Sequence, residues 1–525
     1  MYKLPPTFVL MSALYLCYSC AQRSSAPTAM EKEDSIEAAK PGPTILKRLP
    51  DTLYESASGV KYKIEIFDSL NGRLNGLNDM YAHVPGVFTF RGNAFRNGSP
   101  VGTVKGWPSE FIVNWTFRTA RDTTKTKYGV WGGGTGWTGQ PVYISWPDSC
   151  LNSLKKNSAV FSDFTGQEII VGSLCSLIYF IDFSTGKASR RPIAAGNPIK
   201  GTVSLDPTLN GHLYVGQGIP ARKPFGALVI NLFTNKQIDF FDEDKNAYKY
   251  WGAYDSSPLR AGQFLFRPAE NGSIYKYKVL PTGLELHSVL RYKVNGMVPG
   301  MESSMSVYSN YGYIADNYGH LLAINLDNMK PVWLYSFGDD TDATPVIEIE
   351  KNRPVLYLGC EIQRISGGYA RFAKIDGING KEIWHTDIEG QRIDVGEKHF
   401  DGGYYSSALP GKGDCEKYIF INCVKNTRGQ NGALIAFDKE TGKIAFETPL
   451  KRYAWSSPVG FVNEKNTMYI VTGDCYGNLY LIKGSSGEII TSQRIGYNFE
   501  STPVVVDNSL VVGSRGDCIY KISLK

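Results

Sequence analysis

Leu434-Ile-Ala-Phe-Asp438 leads through the turn Glu440-Thr-Gly-Lys443 into Ile444-Ala-Phe446, and this order of elements decides the fold. A short run of aliphatic and aromatic residues bounded by polar turn formers predicts a β-strand. Thr-Gly-Lys predicts a tight turn, because Gly accepts the positive φ that a two-stranded turn requires. The aromatic residue after the turn starts the next strand, so the whole stretch predicts a β-hairpin.

Parts of this hairpin recur along the chain, which indicates a repeat architecture. The strand that ends in a polar residue and the Gly-containing turn after it recur as Ile178-Tyr-Phe-Ile-Asp182 with Ser184-Thr-Gly-Lys187, Phe372-Ala-Lys-Ile-Asp376 with Asn379-Gly-Lys381, and Leu321-Leu-Ala-Ile-Asn325 before Pro331-Val-Trp333. An aromatic residue follows the turn again in Glu382-Ile-Trp384. Each repeat therefore predicts at least two antiparallel strands.

A short polar tetrad opens each repeat. The eight tetrads are Thr138-Gly-Gln-Pro141, Lys200-Gly-Thr-Val203, Asp255-Ser-Ser-Pro258, Glu302-Ser-Ser-Met305, Asp342-Ala-Thr-Pro345, Tyr405-Ser-Ser-Ala408, Trp455-Ser-Ser-Pro458 and Glu500-Ser-Thr-Pro503. They lie 40 to 63 residues apart, which is room for four short strands, and no segment between them shows a sustained helical period. The sequence therefore predicts an all-β fold, an eight-bladed β-propeller over residues 111–525.

The last repeat lacks a fourth strand, because the chain stops at Lys525 just after Cys518-Ile-Tyr-Lys-Ile-Ser. An open ring would expose unpaired strand edges. Ahead of the first repeat lies one unassigned strand-like segment, Phe111-Ile-Val-Asn-Trp-Thr-Phe117. We predict that this N-terminal strand completes the eighth blade and that the closure makes the N-terminal segment essential for stability.

The combined pattern of Ile-Asp, Thr-Gly-Lys and a following Trp resembles the pyrroloquinoline-quinone-type repeat. That repeat occurs in quinoprotein alcohol dehydrogenases and in the outer-membrane lipoprotein that assists β-barrel assembly. The resemblance covers residues 111–525 and is specific for the fold, much less so for function. It implies adjacent cysteines facing the cofactor in a dehydrogenase, and in many of them a haem-attachment CxxCH motif; this sequence has neither. The resemblance to the assembly lipoprotein is therefore the stronger one.

The N-terminus predicts secretion and a lipid anchor. Lys3 precedes an apolar run, Phe8–Leu16, that is too short to span a bilayer, and we interpret residues 1–19 as a signal peptide. Cys20 is then the lipidated residue of a bacterial lipoprotein that faces the periplasm or the cell surface, although Cys17 stands where such signals prefer an aliphatic residue. An ordinary signal peptide is the alternative. Residues 20–45 predict a flexible tether, and residues 46–110 an N-terminal extension with one strand-like run, Val60-Lys-Tyr-Lys-Ile-Glu-Ile66.

The first residues of the tetrads are the main candidate site. Because the innermost strand of each blade lines the central channel, these residues should form a ring at one mouth: Thr138, Lys200, Asp255, Glu302, Asp342, Tyr405, Trp455 and Glu500. Converging carboxylates repel one another unless a cation offsets them, so Asp255, Glu302, Asp342 and Glu500 are candidate metal ligands. The alternative is that Asp and Ser at these strand starts bond only local backbone amides. Tyr405 and Trp455 either stack on a flat ligand or pack structurally.

Outside the ring, His399 and Asp401 lie in an insertion that leads to the channel and predicts a contact loop. Seven cysteines follow residue 20; their odd number argues against a disulfide framework, and whether Cys415 and Cys423 form a bridge is open. The 56 basic and 50 acidic residues are scattered without a basic stripe, which excludes nucleic acid as a partner.

These observations favour a non-catalytic, membrane-tethered scaffold that binds a protein partner in the bacterial cell envelope and needs no cofactor. The alternative is an enzyme or sensor that holds a quinone, calcium or a sugar in the acidic channel, with calcium or pyrroloquinoline quinone as its cofactor.

Overall fold

The computed structural model describes residues 46–525 with gaps at 70, 137–138, 158, 365 and 396–397. The predicted signal peptide, the lipidation site Cys20, the tether and the ring residue Thr138 lie outside the described residues. The assignments made for these residues therefore remain predictions.

The described chain forms antiparallel sheets arranged as blades, each with its strands in chain order from the channel outward. The first four blades have these strands: Val142–Ser145, Gln167–Gly172, Leu177–Asp182 and Ile193–Ala194 in blade 1; Ser204–Leu205, His212–Gly216, Ala227–Asn231 and Lys236–Phe241 in blade 2; Leu259–Ala261, Phe264–Pro268, Ser273–Leu280 and Gly283–Val294 in blade 3; Ser306–Tyr308, Tyr311–Ala315, His320–Asn325 and Pro331–Ser336 in blade 4.

The second half of the ring repeats this plan, with a short hairpin, Ile393–Val395 and Lys398–Phe400, inserted between blades 5 and 6. Two short strands, Glu361–Ile362 and Gly402–Gly403, join the edge of blade 6. The strands are Val346–Glu350, Arg353–Gly359, Gly367–Asp376 and Glu382–Gln391 in blade 5; Leu409–Pro410, Tyr418–Val424, Gly432–Asp438 and Ile444–Leu450 in blade 6; Val459–Asn463, Met468–Gly473, Asn478–Lys483 and Ile489–Arg494 in blade 7; Val504–Val506, Ser509–Gly513 and Cys518–Leu524 in blade 8.

The predicted closure of the ring is confirmed. Phe111–Arg118 pairs antiparallel with Cys518–Leu524 and is the fourth strand of blade 8. Trp115 of this strand is buried and donates a hydrogen bond from Nε1 to the carbonyl of Phe183 in blade 1. The N-terminal strand thus joins the last blade to the first, and the predicted eight-bladed propeller is the observed fold.

The repeated Asp, Gly and Trp have a shared structural role. Asp376 Oδ1 accepts hydrogen bonds from the backbone amides of Ile378 and Asn379, which shapes the turn after the third strand. Gly380 in this turn has φ +71°, and a Cβ there would lie 2.5 Å from the ring of Trp333 in blade 4. The Trp333 ring donates from Nε1 to the carbonyl of Gly377. The aromatic residue of one blade therefore docks under the turn of the next, which explains why the motif recurs.

Two α-helices lie among the described residues, and the longer one falls between two tetrads, where the sequence analysis found no sustained helical period. The longer one, Asp148–Lys156, lies between the first two strands of blade 1, begins after Pro147 and buries Leu154. It has only two and a half turns, so too few apolar positions show a period. The other is Glu55–Ser58, and a 3₁₀ turn covers Gly413–Cys415. None of the described helices has the length and apolar character that crossing a bilayer requires.

Residues 46–110 are integrated into the propeller. Val60–Ile66 pairs antiparallel with Gly283–Val294 as a fifth, outermost strand of blade 3. Further along, Gly86–Val87 pairs with the innermost strand of blade 1, and Val101–Val104 pairs parallel with that of blade 7. We call residues 86–104 the plug segment, because they run through the channel from blade 1 to blade 7.

The antiparallel order gives the ring two distinct faces. The innermost strand of each blade starts at one face, which we call the mouth face. The connections that lead into each blade lie at this face, and so do the connections between second and third strands. The hairpins between first and second and between third and fourth strands lie at the opposite, floor face. The plug segment occupies the floor half of the channel, and the tetrads lie in the mouth half.

Candidate functional site

Most third residues of the tetrads carry a hydroxyl group, and these groups accept hydrogen bonds from one blade to the next around the channel. The backbone N–H of Ser257 donates to Ser304 Oγ at 2.9 Å, that of Ser304 to Thr344 Oγ1 at 2.9 Å, and that of Thr344 to Ser407 Oγ at 3.2 Å. Ser407 and Ser457 continue the same pattern. These side chains bond the neighbouring blade, not their own strand start. The repeated Ser or Thr is therefore explained by contacts that hold adjacent blades together.

The first residues of the tetrads lie one layer nearer the mouth face, and the structure brings several of them together. Lys200 Nζ lies 2.5 Å from Asp255 Oδ2 and 2.9 Å from Glu302 Oε2. Burial alone would lower the pKa of Lys200, but the charges of Asp255 and Glu302 outweigh it and hold that pKa well above its ordinary value. Lys200 is therefore a fixed positive charge between two acids from different blades.

Three acids that the sequence analysis did not single out join this ring. Glu270 lies with Asp255 and Glu302, and Asp340 and Glu361 lie with Asp342; in each trio the carboxylate oxygens are within 4.8 Å of one another. We call these six residues the acidic cluster. Glu270 and Glu361 follow the second strands of blades 3 and 5, which end at the mouth face. An acid just after a second strand was the signal that would have found them.

The acidic cluster carries more negative charge than its surroundings offset. Among the described residues, Lys200 is the cation that forms ion pairs with it. Burial raises the pKa of Asp342 well above its ordinary range, and the charges of Glu302 and Asp340 raise it further. Burial likewise raises the pKa values of Glu270, Asp340 and Glu361 well above theirs, with neighbouring acids as the second cause. These acids are thus held in a site that disfavours their charged form.

Several carboxylate oxygens of the acidic cluster are buried without a hydrogen bond among the described residues, and two of them lie beside Asp342. Asp340 Oδ1 and Glu361 Oε2 accept none from the described part of the chain, although the two residues are only 5% and 0% exposed. Leaving a buried carboxylate oxygen unpaired is costly, by about 1–3 kcal/mol for a polar group and more for a charged one. Such atoms indicate a site for a positively charged or hydrogen-bond-donating group.

Aromatic rings border the acidic cluster on the next two blades. Tyr405 and Trp455 stack with ring centroids 4.9 Å apart and 26° between their planes, and Tyr453 lies 5.3 Å from Trp455. Burial raises the pKa values of Glu361 and Asp401, and the nearby Tyr405 hydroxyl partly lowers both, as a hydrogen-bond donor does. The candidate loop residue Asp401 therefore touches the ring through Tyr405.

A cavity of about 20 Å³ lies between the two layers. Its lining comprises Glu302, Asp342, Tyr405 and Trp455, hydroxyl groups of the third tetrad residues, and Phe90 of the plug segment. A cavity of this volume holds about one water-sized group.

The remaining predicted site residues lie apart from this cavity. Glu500 accepts a hydrogen bond from Asn498 Nδ2 at 2.7 Å and faces Arg515, and it belongs to neither trio of acids. His399 Nδ1 lies 2.6 Å from Asp394 Oδ1 in the exposed hairpin between blades 5 and 6. Cys415 and Cys423 are separate free thiols, as are the other five cysteines among the described residues.

Exposed aromatic residues are concentrated on the mouth face. Of the seven exposed tyrosines among the described residues, six lie on this face. Five of them are in connections, namely Tyr128, Tyr248, Tyr250, Tyr476 and Tyr497, and Tyr369 is near the start of the third strand of blade 5. Basic side chains lie over several of the rings of this face, with distances to the ring centroid of 4.3 Å for Lys293 over Tyr248, Arg364 over Tyr318 and Arg452 over Tyr476, and 4.8 Å for Lys127 over Tyr128. The acidic cluster is thus surrounded by a rim of aromatic and basic residues.

The floor face has two wider clefts of a different character. One of about 770 Å³ lies between blades 5 and 6, and its charged side chains pair with each other, as in Lys374 with Glu350 and Lys439 with Glu348. The other, of about 730 Å³, lies between blades 7 and 8 next to Val104 and Leu524. Neither cleft has an excess of one sign of charge, in contrast to the acidic cluster at the mouth face.

Comparisons with known proteins agree on the architecture. No family model and no curated protein matches this sequence. Among solved structures, BamB from Moraxella catarrhalis matches with a TM-score of 0.50 at 13% identity, over 79% of this chain and 100% of that one. A quinohemoprotein alcohol dehydrogenase from Pseudomonas putida HK5 matches with a TM-score of 0.58 at 11% identity, over 87% and 83%.

A second quinohemoprotein alcohol dehydrogenase, from Comamonas testosteroni, matches with a TM-score of 0.56 at 12% identity, over 84% of this chain and 80% of that one. At such identities the likeness shows the fold alone, and proteins of one fold carry different functions. With its eight blades and closing N-terminal strand, the chain has the PQQ-like β-propeller fold that these proteins share.

Proposed function

We propose that this chain is a non-catalytic scaffold of the bacterial cell envelope that holds a protein partner on its mouth face. In this proposal a lipid on Cys20 tethers the propeller to a membrane, as the signal sequence predicts. The repeat's resemblance to that of the β-barrel assembly lipoprotein supports the same role.

The observation that carries the proposal is the concentration of exposed tyrosines on one face. Tyr250, Tyr369 and Tyr497 are 61%, 66% and 62% exposed. Tyrosine and arginine are enriched in protein interfaces, because they offer a large contact area together with hydrogen-bond donors. The cation–π pairs on this face hold several of the rings in place before a partner arrives, which lowers the entropic cost of binding.

The alternative, an enzyme or sensor with a ligand in the channel, fits less well. A tricyclic quinone or a sugar ring is far larger than the cavity of about 20 Å³ at the mouth. Phe90 closes that cavity on the floor side. The adjacent cysteines of the dehydrogenases are also missing from the sequence. We therefore derive no reaction through a quinone.

Site-specific photo-crosslinking in cells tests the proposal. A photoreactive phenylalanine analogue is placed at Tyr250 or Tyr497 on the mouth face, and at Trp107 or Ile383 on the floor face as exposed controls. We expect one discrete crosslinked partner from the mouth positions and none from the floor positions. In a second arm, the double substitution Tyr250→Ser with Tyr497→Ser is expected to remove the crosslinked species, whereas Trp107→Ser with Ile383→Ser leaves it in place.

Equal crosslinking from both faces, or a complex that survives the two tyrosine substitutions, would contradict the assignment of the mouth face. Both double variants change only exposed side chains, so we expect their melting temperatures to match that of the unchanged protein.

A further inference from the structure

The small cavity at the centre of the mouth face has a composition that selects one kind of ligand group. Two carboxylates, Glu302 and Asp342, line one side, and Ser304, Thr344 and Ser407 supply hydroxyl groups from the layer below. Tyr405 and Trp455 line the other side. A ligand group there meets oxygen acceptors on one side and aromatic faces on the other.

The acids around this cavity are crowded, and a cation bound there offsets their mutual repulsion. Asp340, Asp342 and Glu361 each have a carboxylate oxygen within 4.8 Å of the others, and Asp340 and Glu361 each hold one buried oxygen without a hydrogen bond. Lys200 pairs with Asp255 and Glu302, on the other side of the acidic cluster. The half of the cluster around Asp342 thus forms no ion pair among the described residues, although the charges of Arg364 and Lys200 reach Asp340 and Asp342. Burial there strengthens every unpaired charge.

We propose that this cavity binds a primary ammonium group, carried by a small alkylamine or by a lysine side chain. An ammonium group has about the size of the one water molecule that the cavity admits. Its three N–H bonds donate to Glu302, to Asp342 and to a hydroxyl of the layer below, while its alkyl carbons lie against the stacked rings of Tyr405 and Trp455. Aromatic rings beside carboxylates are the surroundings that alkylammonium groups prefer in proteins.

A calcium ion fits this composition less well. Calcium takes six to eight oxygen ligands at short range, usually including several carboxylates. Here Glu302 and Asp342 are the carboxylates that line the cavity, and two of the blades around it present aromatic rings. The ammonium site stands on the cavity alone and does not depend on whether a protein partner uses the surrounding face.

Calorimetric titration of the purified full-length protein, in a buffer with constant sodium, tests the site. The probes are n-butylammonium, its neutral analogue n-butanol, calcium chloride, and a short peptide with one lysine. We expect saturable binding of n-butylammonium with one site per chain, and none of n-butanol. Asp342→Asn should weaken n-butylammonium binding about tenfold or more, and Trp455→Leu about fivefold.

Asp387→Asn is the matched control, because Asp387 is a half-exposed acid of blade 5 that pairs with Arg371 away from the cavity. Its binding should equal that of the unchanged protein, and a melting curve confirms that each variant is folded. Tighter binding of the lysine peptide than of n-butylammonium assigns the group to a polypeptide; weaker binding assigns it to a small amine. Absence of n-butylammonium binding, binding that Asp342→Asn leaves unchanged, or uptake of calcium alone would overturn the proposal.

Discussion

The two halves of the central channel are built in opposite ways. In the floor half, the plug segment bonds to all eight blades: Phe88 to blade 2, Arg91 to blades 1 and 6, Arg96 to blades 3 and 4, Phe95 to blade 5, Pro100 to blade 7 and Thr103 to blade 8. In the mouth half, the acidic cluster leaves buried oxygens without partners. Buried polar groups in proteins are normally satisfied, and exceptions concentrate at functional sites.

This difference indicates which half of the channel stabilises the propeller and which half is available to bind a ligand. Arg96 is fully buried and donates to the carbonyls of Met305, Phe90 and Ser257 and to Thr89 Oγ1. Burial lowers the pKa of Arg96 only to about 10, so its guanidinium stays charged at neutral pH. In the floor half, the buried cation Arg96 therefore donates hydrogen bonds that join blades 3 and 4. In the mouth half, buried carboxylates keep oxygens without hydrogen bonds.

The largest expected effect comes from removing that cation. Arg96→Ala leaves buried carbonyls of blades 3 and 4 without donors, and we expect the free energy of unfolding to fall by about 3–5 kcal/mol. Urea denaturation followed by circular dichroism measures the change. Arg353→Ala is the control, since Arg353 is half exposed and its pair with Asp376 contributes about 1 kcal/mol or less. Similar losses from both substitutions would show that the bonds of Arg96 in the channel contribute no more than an exposed ion pair.

A smaller effect of opposite sign is expected in the mouth half. Asp342→Asn removes a partly buried charge from a group of like charges while keeping the shape of the side chain. We expect it to stabilise the protein by about 1 kcal/mol at neutral pH, because functional sites commonly sacrifice stability. Thermal unfolding measures the change. A loss of stability would show that Asp342 is held by structural contacts, and the contrast between the two halves would be wrong.

The smallest expected effect is a dependence on pH of the stability that Asp342→Asn adds. A carboxyl group whose pKa is raised by folding contributes stability that is complete below its unfolded pKa, about 4, and is lost as pH rises through the folded value. Because burial raises the pKa of Asp342 well above its ordinary range, its cost should be small at pH 5 and larger at pH 8. The melting temperatures of the protein and of Asp342→Asn should therefore approach each other at pH 5 and diverge by about 2 °C toward pH 8. A constant difference would argue against a titrating acid.

Particular residues show how far the sequence analysis reached at the site. Lys200, Asp255, Glu302 and Asp342 were predicted to meet, because each holds the same position in a repeat. Glu270, Asp340 and Glu361 were missed, since the sequence analysis considered only the residue that opens each tetrad, and these acids follow the second or fourth strand of a blade. Glu500 shares the repeat position but turns toward Arg515 and Asn498, a local contact that no repeat predicts.

The sequence by itself determined the eight blades, the order of their strands and the N-terminal strand that closes the ring. These follow from local patterns, namely alternation, turn glycines and a missing fourth strand, which act over a few residues. Only the tertiary structure decided which acids share a cavity, that residues 86–104 fill the floor half, and that the exposed tyrosines share one face. The physical reason is that these contacts join segments far apart in the chain: Arg96 of the plug segment bonds to Met305, 209 residues away, and no local preference encodes such a contact.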